Sequence, residues 1–348
     1  MRPDATPIPF IDIGAQRRRL GTAIDDAVEK GLSHCQFVMG PEVRELEAEL
    51  SKFCGAKHTI SCASGTDALV MVLMAKGVGP GDAVFCPSFT FCATAESVVI
   101  VGATPVFVDV DEKTFNIDLA SLEQAIKETK RGKLNAKAII PVDLFGQPAD
   151  LDAVAAIAKR EGLFVISDAA QSFGATYKGK RVGTQALATT TSFFPAKPLG
   201  CYGDGGAIFT DDDQLADVLR SVRVHGQGTD KYDNIRIGIT GRLDTIQAAV
   251  LLEKLRIFPD EIEARNRVAA RYAAGLKDVA IVPEVPAGYG SVWAQYTIRV
   301  ANRDALGPAL QKRGVPTAIY YPKPVHRQTA YRDFPAAGNG LPVTDRIS

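Results

Sequence analysis

The chain has 348 residues, 46% of them hydrophobic, and its 40 lysines and arginines are balanced by 40 aspartates and glutamates. That length and composition allow a large buried core, shared between two domains, in a soluble globular protein. A formal net charge of zero removes the broad positive field a nucleic-acid binder needs, so a phosphate-bearing ligand must be held by local groups.

The opening residues Met1-Arg2-Pro3-Asp4-Ala5-Thr6-Pro7 lack the apolar stretch of a secretory leader, and no later run stays apolar long enough to span a bilayer. Neither export nor membrane insertion is indicated. Residues 1–40 read as an N-terminal arm with one amphipathic helix, carrying Leu20, Ile24, Ala27 and Val28 on one side and reaching across a partner. The six cysteines (Cys35, Cys54, Cys62, Cys86, Cys92, Cys201) form no C-x-x-C pair and lie mostly in apolar or strand-like sequence. They predict reduced thiols in a cytoplasmic protein.

From about Lys57 to Phe209 short β-branched runs alternate with helical segments, which is α/β wiring. Several runs are apolar throughout, as expected when helices cover both faces of a mostly parallel sheet. Ligands of such sheets gather at the carboxyl ends of strands. After the strand-like His58 to Cys62, Ala63-Ser64-Gly65-Thr66-Asp67-Ala68-Leu69 opens a helix whose first amides and dipole suit a phosphate. Gly65 permits close approach and Thr66 adds a hydroxyl, although Ser-Gly-Thr is also ordinary N-capping. Next, Pro87-Ser88-Phe89-Thr90-Phe91-Cys92-Ala93-Thr94 follows the strand at Val84 to Cys86 and sets an aromatic at a helix start. Such a ring stacks on a flat cofactor or is plain core.

Thr104 to Asp109, Leu119 to Glu128 and Ala136 to Ile140 continue the strand–helix–strand alternation. Asp168 closes the apolar strand Leu163-Phe164-Val165-Ile166, with Gln171 three residues on. An aspartate there is either a ligand or the N-cap of a following helix. Downstream, Lys197 stands in Ser192-Phe193-Phe194-Pro195-Ala196-Lys197-Pro198-Leu199-Gly200, where apolar neighbours desolvate the amine and lower its pKa. One buried amine and one buried acid are what pyridoxal phosphate requires: the amine holds the aldehyde as an imine, and the acid keeps the ring nitrogen protonated. Ser192 offers a hydroxyl to the phosphate, and Gly203-Asp204-Gly205-Gly206 reads as a further phosphate contact or a flexible turn.

After Arg242 a helix runs through Ile246, Ala249, Val250 and Leu255, and a break at Phe258-Pro259 precedes a second helix from Asp260. That break divides a large domain, 41–257, from a small α+β domain, 258–348. Within the latter, Gln295 to Val300 and Thr317 to Tyr320 read as strands around a helix from Leu306 to Arg313.

Taken together, Ser64-Gly65-Thr66-Asp67-Ala68-Leu69, Pro87-Ser88-Phe89-Thr90-Phe91, Gly102 to Asp109, Asp168-Ala169-Ala170-Gln171-Ser172 and Asp204-Gly205-Gly206-Ala207 resemble, in order and spacing, the DegT/DnrJ/EryC1/StrS family of sugar aminotransferases. The likeness runs from Ile8 nearly to the C-terminus. It implies an α/β fold of type I among pyridoxal-phosphate enzymes, with a seven-stranded, mostly parallel sheet and a smaller C-terminal α+β domain. It also implies that Lys197 bonds the cofactor aldehyde and moves the proton, and that Asp168 holds the ring nitrogen. By the same resemblance Phe91 stacks on the ring, Gln171 contacts its other edge, and Gly65, Thr66 and Ser192 bind the phosphate. Gly238-Ile239-Thr240-Gly241-Arg242 matches the segment that reaches the neighbouring site of a homodimer, with Thr240 where relatives usually carry asparagine. Arg242 is therefore the better phosphate contact, or else an interface salt bridge.

Among family members, Lys231 to Gly238, Arg242 to Leu251 and Tyr320-Tyr321-Pro322-Lys323-Pro324-Val325-His326 look most like enzymes that aminate a UDP-linked 2-acetamido-3-keto-hexuronate for surface polysaccharide. L-Glutamate is the expected donor, with pyridoxamine phosphate as the intermediate form. His326 and Tyr321 are candidate substrate contacts, the alternative for His326 being a mobile small-domain loop. The chain ends at Ser348, where such relatives continue through another strand and helix, so the smaller domain is expected to be incomplete. Rival readings are an aminotransferase for other 3-keto or 4-keto sugars linked to UDP or dTDP, a pyridoxamine-phosphate dehydratase, and a non-enzymatic regulator. A dehydratase of this kind keeps histidine where this chain has Lys197.

Overall fold

The computed structural model describes residues 8–230 and 232–348. The first seven residues of the expected arm, and Lys231 of the segment likened to sugar-aminating enzymes, lie outside the described residues. The strands in chain order are β1 (His58–Cys62), β2 (Asp82–Pro87), β3 (Thr104–Val108), β4 (Asn135–Ile139), β5 (Phe164–Asp168), β6 (Thr176–Tyr177), β7 (Lys180–Arg181), β8 (Ala188–Ser192), β9 (Gly206–Thr210) and β10 (Tyr289–Gly290). Seven of them form one sheet in the order β1-β9-β8-β5-β4-β2-β3, while β10, β6 and β7 form a small antiparallel ribbon. Every pair from β8 through β5, β4 and β2 to β3 is parallel, whereas β9 runs antiparallel to both of its neighbours.

The helices are α1 (Ile13–Leu20), α2 (Ala23–Ser33), α3 (Pro41–Cys54), α4 (Gly65–Ala75), α5 (Ala93–Ile100), α6 (Leu119–Arg131), α7 (Leu151–Glu161), α8 (Asp213–Val222), α9 (Thr245–Leu276), α10 (Arg303–Gln311) and α11 (Pro342–Ile347). One core joins α4 through α8 to the sheet through Ile60, Met71, Phe85, Val108, Ile139 and Ile166, and a second lies beneath α3 and α9 around Leu46, Phe173, Phe193, Phe209 and Phe258. Burial on both faces explains why the strands read as continuous apolar runs. The expected mostly parallel α/β sheet is present.

Register decides what meets at the strand ends. Asp168 pairs with Thr190 across β5–β8, Ser192 with Gly206 across β8–β9, and Cys62 with the same Gly206 across β1–β9. The ends of β5, β8 and β1 therefore converge.

Three local expectations are corrected. The N-terminal segment holds two helices, because Gly21 adopts a left-handed φ of 58° between α1 and α2. The break at Phe258-Pro259 does not form, and α9 passes through Pro259 as one helix of 32 residues. A proline inside a helix costs about 3 kcal/mol. Here the buried face of Leu251, Leu255 and Phe258 holds both halves to one core, with the Phe258 ring stacked on Phe173 at 6.1 Å. Finally, 295–300 and 317–320 are not strands, and Ile281 with Arg299 makes an isolated bridge there. Their alternating pattern is that of a strand, but no neighbouring strand is in place to complete a ladder. The helix between them does form, as α10.

The tail returns to the large sheet. Phe107 of the edge strand β3 donates to Pro335 O and accepts from Ala337 N, which covers that edge. Asp109 then caps α11, accepting from Val343 N at 2.9 Å and from Thr344 N and Oγ1 at 2.7 Å each. Asp109→Ala would leave those donors unmade in a buried seam, so a stability loss of about 2 kcal/mol or more is expected. Limited proteolysis should then cut preferentially within 325–348, and a variant as resistant as the parent would contradict the assignment.

Candidate active site

The glycines at the converging ends work by leaving space. A Cβ on Gly65 would stand 2.7 Å from Ser192 Cβ, and one on Gly206 would stand 2.4 Å from Ser64 O. Neither contact is tolerable, so the β1–α4 turn presses directly on the exit of β8 only because both residues lack side chains. Ser64 caps α4 by accepting from Asp67 N at 3.0 Å. Its capping role is thus real, and it leaves the Gly65 and Thr66 amides with no acceptor among the described residues. Two free amides at a helix start beside Ser192 Oγ make an anion cradle.

Asp168 ends β5 and is 6% exposed. No helix follows it, so it is not an N-cap; a turn does, with Ala170 N donating to Oδ1 at 3.2 Å. Thr94, in the first turn of α5, donates from Oγ1 to Oδ2 at 2.9 Å. Burial raises the Asp168 pKa, against the lowering effects of Thr94, Ala170 and the Lys197 charge. Lys197 sits in the turn after β8, half-buried, and its Nζ makes no hydrogen bond or ion pair among the described residues. Desolvation lowers its pKa, with Asp168 acting in the opposite sense. The two groups feel each other's charge, and both shifts favour the neutral amine and acid.

Gln171 is bridged on two sides. Its Oε1 accepts from Phe145 N at 2.9 Å and its Nε2 donates to Tyr321 OH at 3.2 Å, which brings the tail residue Tyr321 to the same wall. Phe91 is 55% exposed just before α5 and is not core. Thr240 Oγ1 is paired with His225 Nε2 at 2.7 Å. Arg242 is half-buried and has no ion-pair partner among the described residues, so no salt bridge within the chain occupies it. His326 stands apart from this group. Its Nδ1 meets Ser88 Oγ at 2.6 Å, Nε2 faces Asp345 at 3.2 Å, and the side chain is 9% exposed. Both ring nitrogens thus face groups of this chain.

Two groups that sequence reasoning left without a role help to build the site. Thr94 fixes the Asp168 carboxylate. Asp143, beyond β4 and fully buried, accepts from Ser172 Oγ at 2.7 Å and Ala149 N at 2.9 Å, bracing the turn that bears Gln171. No local motif marks either one, since their partners lie 74 and 29 residues away.

The residues present fit pyridoxal 5'-phosphate: a cradle with free amides, an unengaged amine beside a buried carboxylate, and an open aromatic. Gly206→Ala should push the Ser64 carbonyl away, costing about 1–3 kcal/mol of stability. It should also weaken binding of the phosphate-bearing cofactor by about tenfold or more in titration; unchanged affinity would remove the cradle from the argument. Burial pushes the Asp143 pKa up to about 7. The folded chain keeps a proton there that the unfolded chain releases, so stability falls as pH rises from the ordinary carboxylate range through about 7. Asp143→Asn should flatten that slope in denaturant melts taken across the window.

A family model for the DegT/DnrJ/EryC1/StrS aminotransferase family matches residues 19–348. The UDP-2-acetamido-2-deoxy-3-oxo-D-glucuronate aminotransferase of Pseudomonas aeruginosa is 53% identical over 342 residues, covering 98% of this chain and 92% of its own. The UDP-N-acetyl-3-dehydro-alpha-D-glucosamine 3-aminotransferase of Acidithiobacillus ferrooxidans is 43% identical, with 99% and 91% covered. A crystal structure of a DegT DnrJ EryC1 StrS aminotransferase from Brucella abortus superposes with a TM-score of 0.97 at 56% identity, covering 98% of this chain and 91% of that one. The sheet is that of the type I pyridoxal-phosphate aminotransferases. With the whole of the described site inside the matched region, this chain belongs to the DegT/DnrJ/EryC1/StrS aminotransferase family.

Proposed function

We propose that this protein transfers the amino group of L-glutamate to the ketone of a UDP-linked 2-acetamido-3-keto-hexuronate, with pyridoxal 5'-phosphate as its cofactor. The carrying observation is the unengaged, half-buried Lys197 amine beside buried Asp168. The choice of acceptor rests on the 53% identity to an enzyme named for the 3-oxo-glucuronate substrate. When bound, the cofactor supplies a reactive aldehyde and an electron-accepting ring.

The chain's own residues do the rest. Gly65 and Thr66 amides with Ser192 Oγ take the phosphate, assisted by Arg242, which is free to pair with an anion; Thr240, already bonded to His225, is the weaker candidate. Phe91 would cover one face of the ring, and Asp168 would hold the proton on its nitrogen. Gln171 would meet the ring's other edge, with Tyr321, hydrogen-bonded to it, on the substrate side. Lys197 Nζ, its pKa lowered by desolvation, takes the proton from the amino-bearing carbon of glutamate and later returns one to the carbon that was the ketone.

A large unit, 41–257, holds the cofactor and a smaller one, 258–348, lies on the substrate side, with α9 continuous across the boundary between them. The exposed apolar residues Phe91, Phe194, Ile235 and Ile237 support a homodimer whose partner completes the site. Six free cysteines, together with the finding that no described helix is long and apolar enough to cross a membrane, support a cytoplasmic enzyme supplying sugars for surface polysaccharide.

Absorbance titration decides the substrate. Glutamate should bleach the band of the bound cofactor, and the UDP-3-keto-hexuronate should restore it where a dTDP-4-keto sugar does not; restoration by the latter alone would refute the proposed acceptor. Lys197→Ala should keep the fold and lose covalent capture, with kcat lower by about 10³-fold or more. Turnover at the parent rate would end the proposal.

A further inference from the structure

The segment carrying Lys197 is a closed loop. Cys201 N donates to Phe193 O at 2.7 Å across its neck, and Lys197 N donates to Phe194 O at 2.8 Å inside it. Gly200 folds back so tightly that a Cβ there would stand 2.6 Å from Phe194 O and 2.7 Å from Pro195 O. That fold leaves the Gly200 carbonyl directed at α9, where Lys254 Nζ donates to it at 2.6 Å. Two helical turns earlier on α9, Gln247 Oε1 accepts from Tyr202 N at 2.8 Å. One helix thus grips the loop at two points.

Lys254 is an improbable residue for packing alone. It is 1% exposed, its Nζ lies 4.3 Å from the Tyr202 ring centroid, and among the described residues no carboxylate forms an ion pair with it. Leu251, Leu255 and Phe258 share its stretch of α9 and meet Phe173, Phe193 and Leu199 in an apolar core, where a methionine would fit at lower cost. Burial lowers its pKa to about 8, with the Cys201 and Glu261 charges opposing the shift.

We propose that Lys254 is a positioning residue: by holding the Gly200 carbonyl it fixes the 193–201 loop and so the direction in which Lys197 presents its amine. Misplacing a reacting group by a fraction of an ångström lowers turnover without weakening substrate binding. The inference rests on Lys197 as the reacting amine, but its first test needs no cofactor.

Hydrogen exchange over 193–202 is compared in cofactor-free parent, Lys254→Met and Lys254→Arg proteins, followed by steady-state kinetics of the loaded enzymes. Lys254→Met should exchange about tenfold faster in that loop alone, with an unshifted thermal midpoint. Its kcat should fall about tenfold while KM for glutamate stays within about twofold. Lys254→Arg, which can donate to the same carbonyl, should recover most of both. A methionine variant that exchanges and turns over like the parent overturns the proposal, as does one that loses stability and activity together with no rescue by arginine. Should Lys254→Met not fold, Lys254→Gln in the same measurements carries the comparison. If the parent itself never captures the aldehyde, the functional reading fails while the exchange data still judge the tie.

Discussion

The placement of β9 between β1 and β8 is the constraint on which the site depends. Gly206 opens that strand opposite both Cys62 and Ser192, and it has room for no side chain against Ser64 O. The first turn of α4 is thereby pressed against the end of β8, which leaves its unbonded amides beside Ser192. Five residues beyond Ser192 the chain reaches Lys197, while one strand over Asp168 sits opposite Thr190. The separation of amine, acid and anion cradle is therefore a property of sheet register rather than of any loop acting alone.

Electrostatics follow from where that register puts the groups. Lys197 and Asp168 are both short of water, and desolvation moves each toward its neutral form. Thr94 and Ala170 oppose the shift at Asp168 without abolishing it, and Asp143 adds a further buried acid behind the same turn. A ligand with a cationic ring nitrogen would restore the Asp168 charge where water cannot. Binding energy and chemistry then share one carboxylate. Lys254 belongs with these buried polar groups, since its hydrogen bond to Gly200 O is what gives a buried amine its use to the loop it holds.

Much of the candidate site could be picked out from sequence because each piece is local. A strand ending in Asp168, a Ser-Gly-Thr opening a helix, and a lysine among phenylalanine and prolines each carry their meaning within a few residues. Thr94, Asp143 and Lys254 were not legible, for their partners lie 74, 29 and 54 residues away and nothing in their own neighbourhoods differs from ordinary helix or strand sequence. Pro259 misled for the opposite reason. Locally it is a helix breaker, yet the core beneath Leu255 and Phe258 outweighs one lost hydrogen bond. The surroundings of His326 were equally hidden, for Ser88 bonds its Nδ1 from 238 residues away and Asp345 stands 3.2 Å from Nε2.

The sequence by itself determined the strand and helix alternation, the family, and the candidate amine and acid, because periodicity and turn chemistry act over short range. Only the tertiary structure decided which strand ends converge, that Phe91 is exposed while the His326 side chain is largely buried, and that the tail returns to cover β3 and bring Tyr321 to Gln171. Those outcomes depend on close packing between distant segments, where a missing Cβ or one buried hydrogen bond selects a single arrangement from many that the local pattern allows.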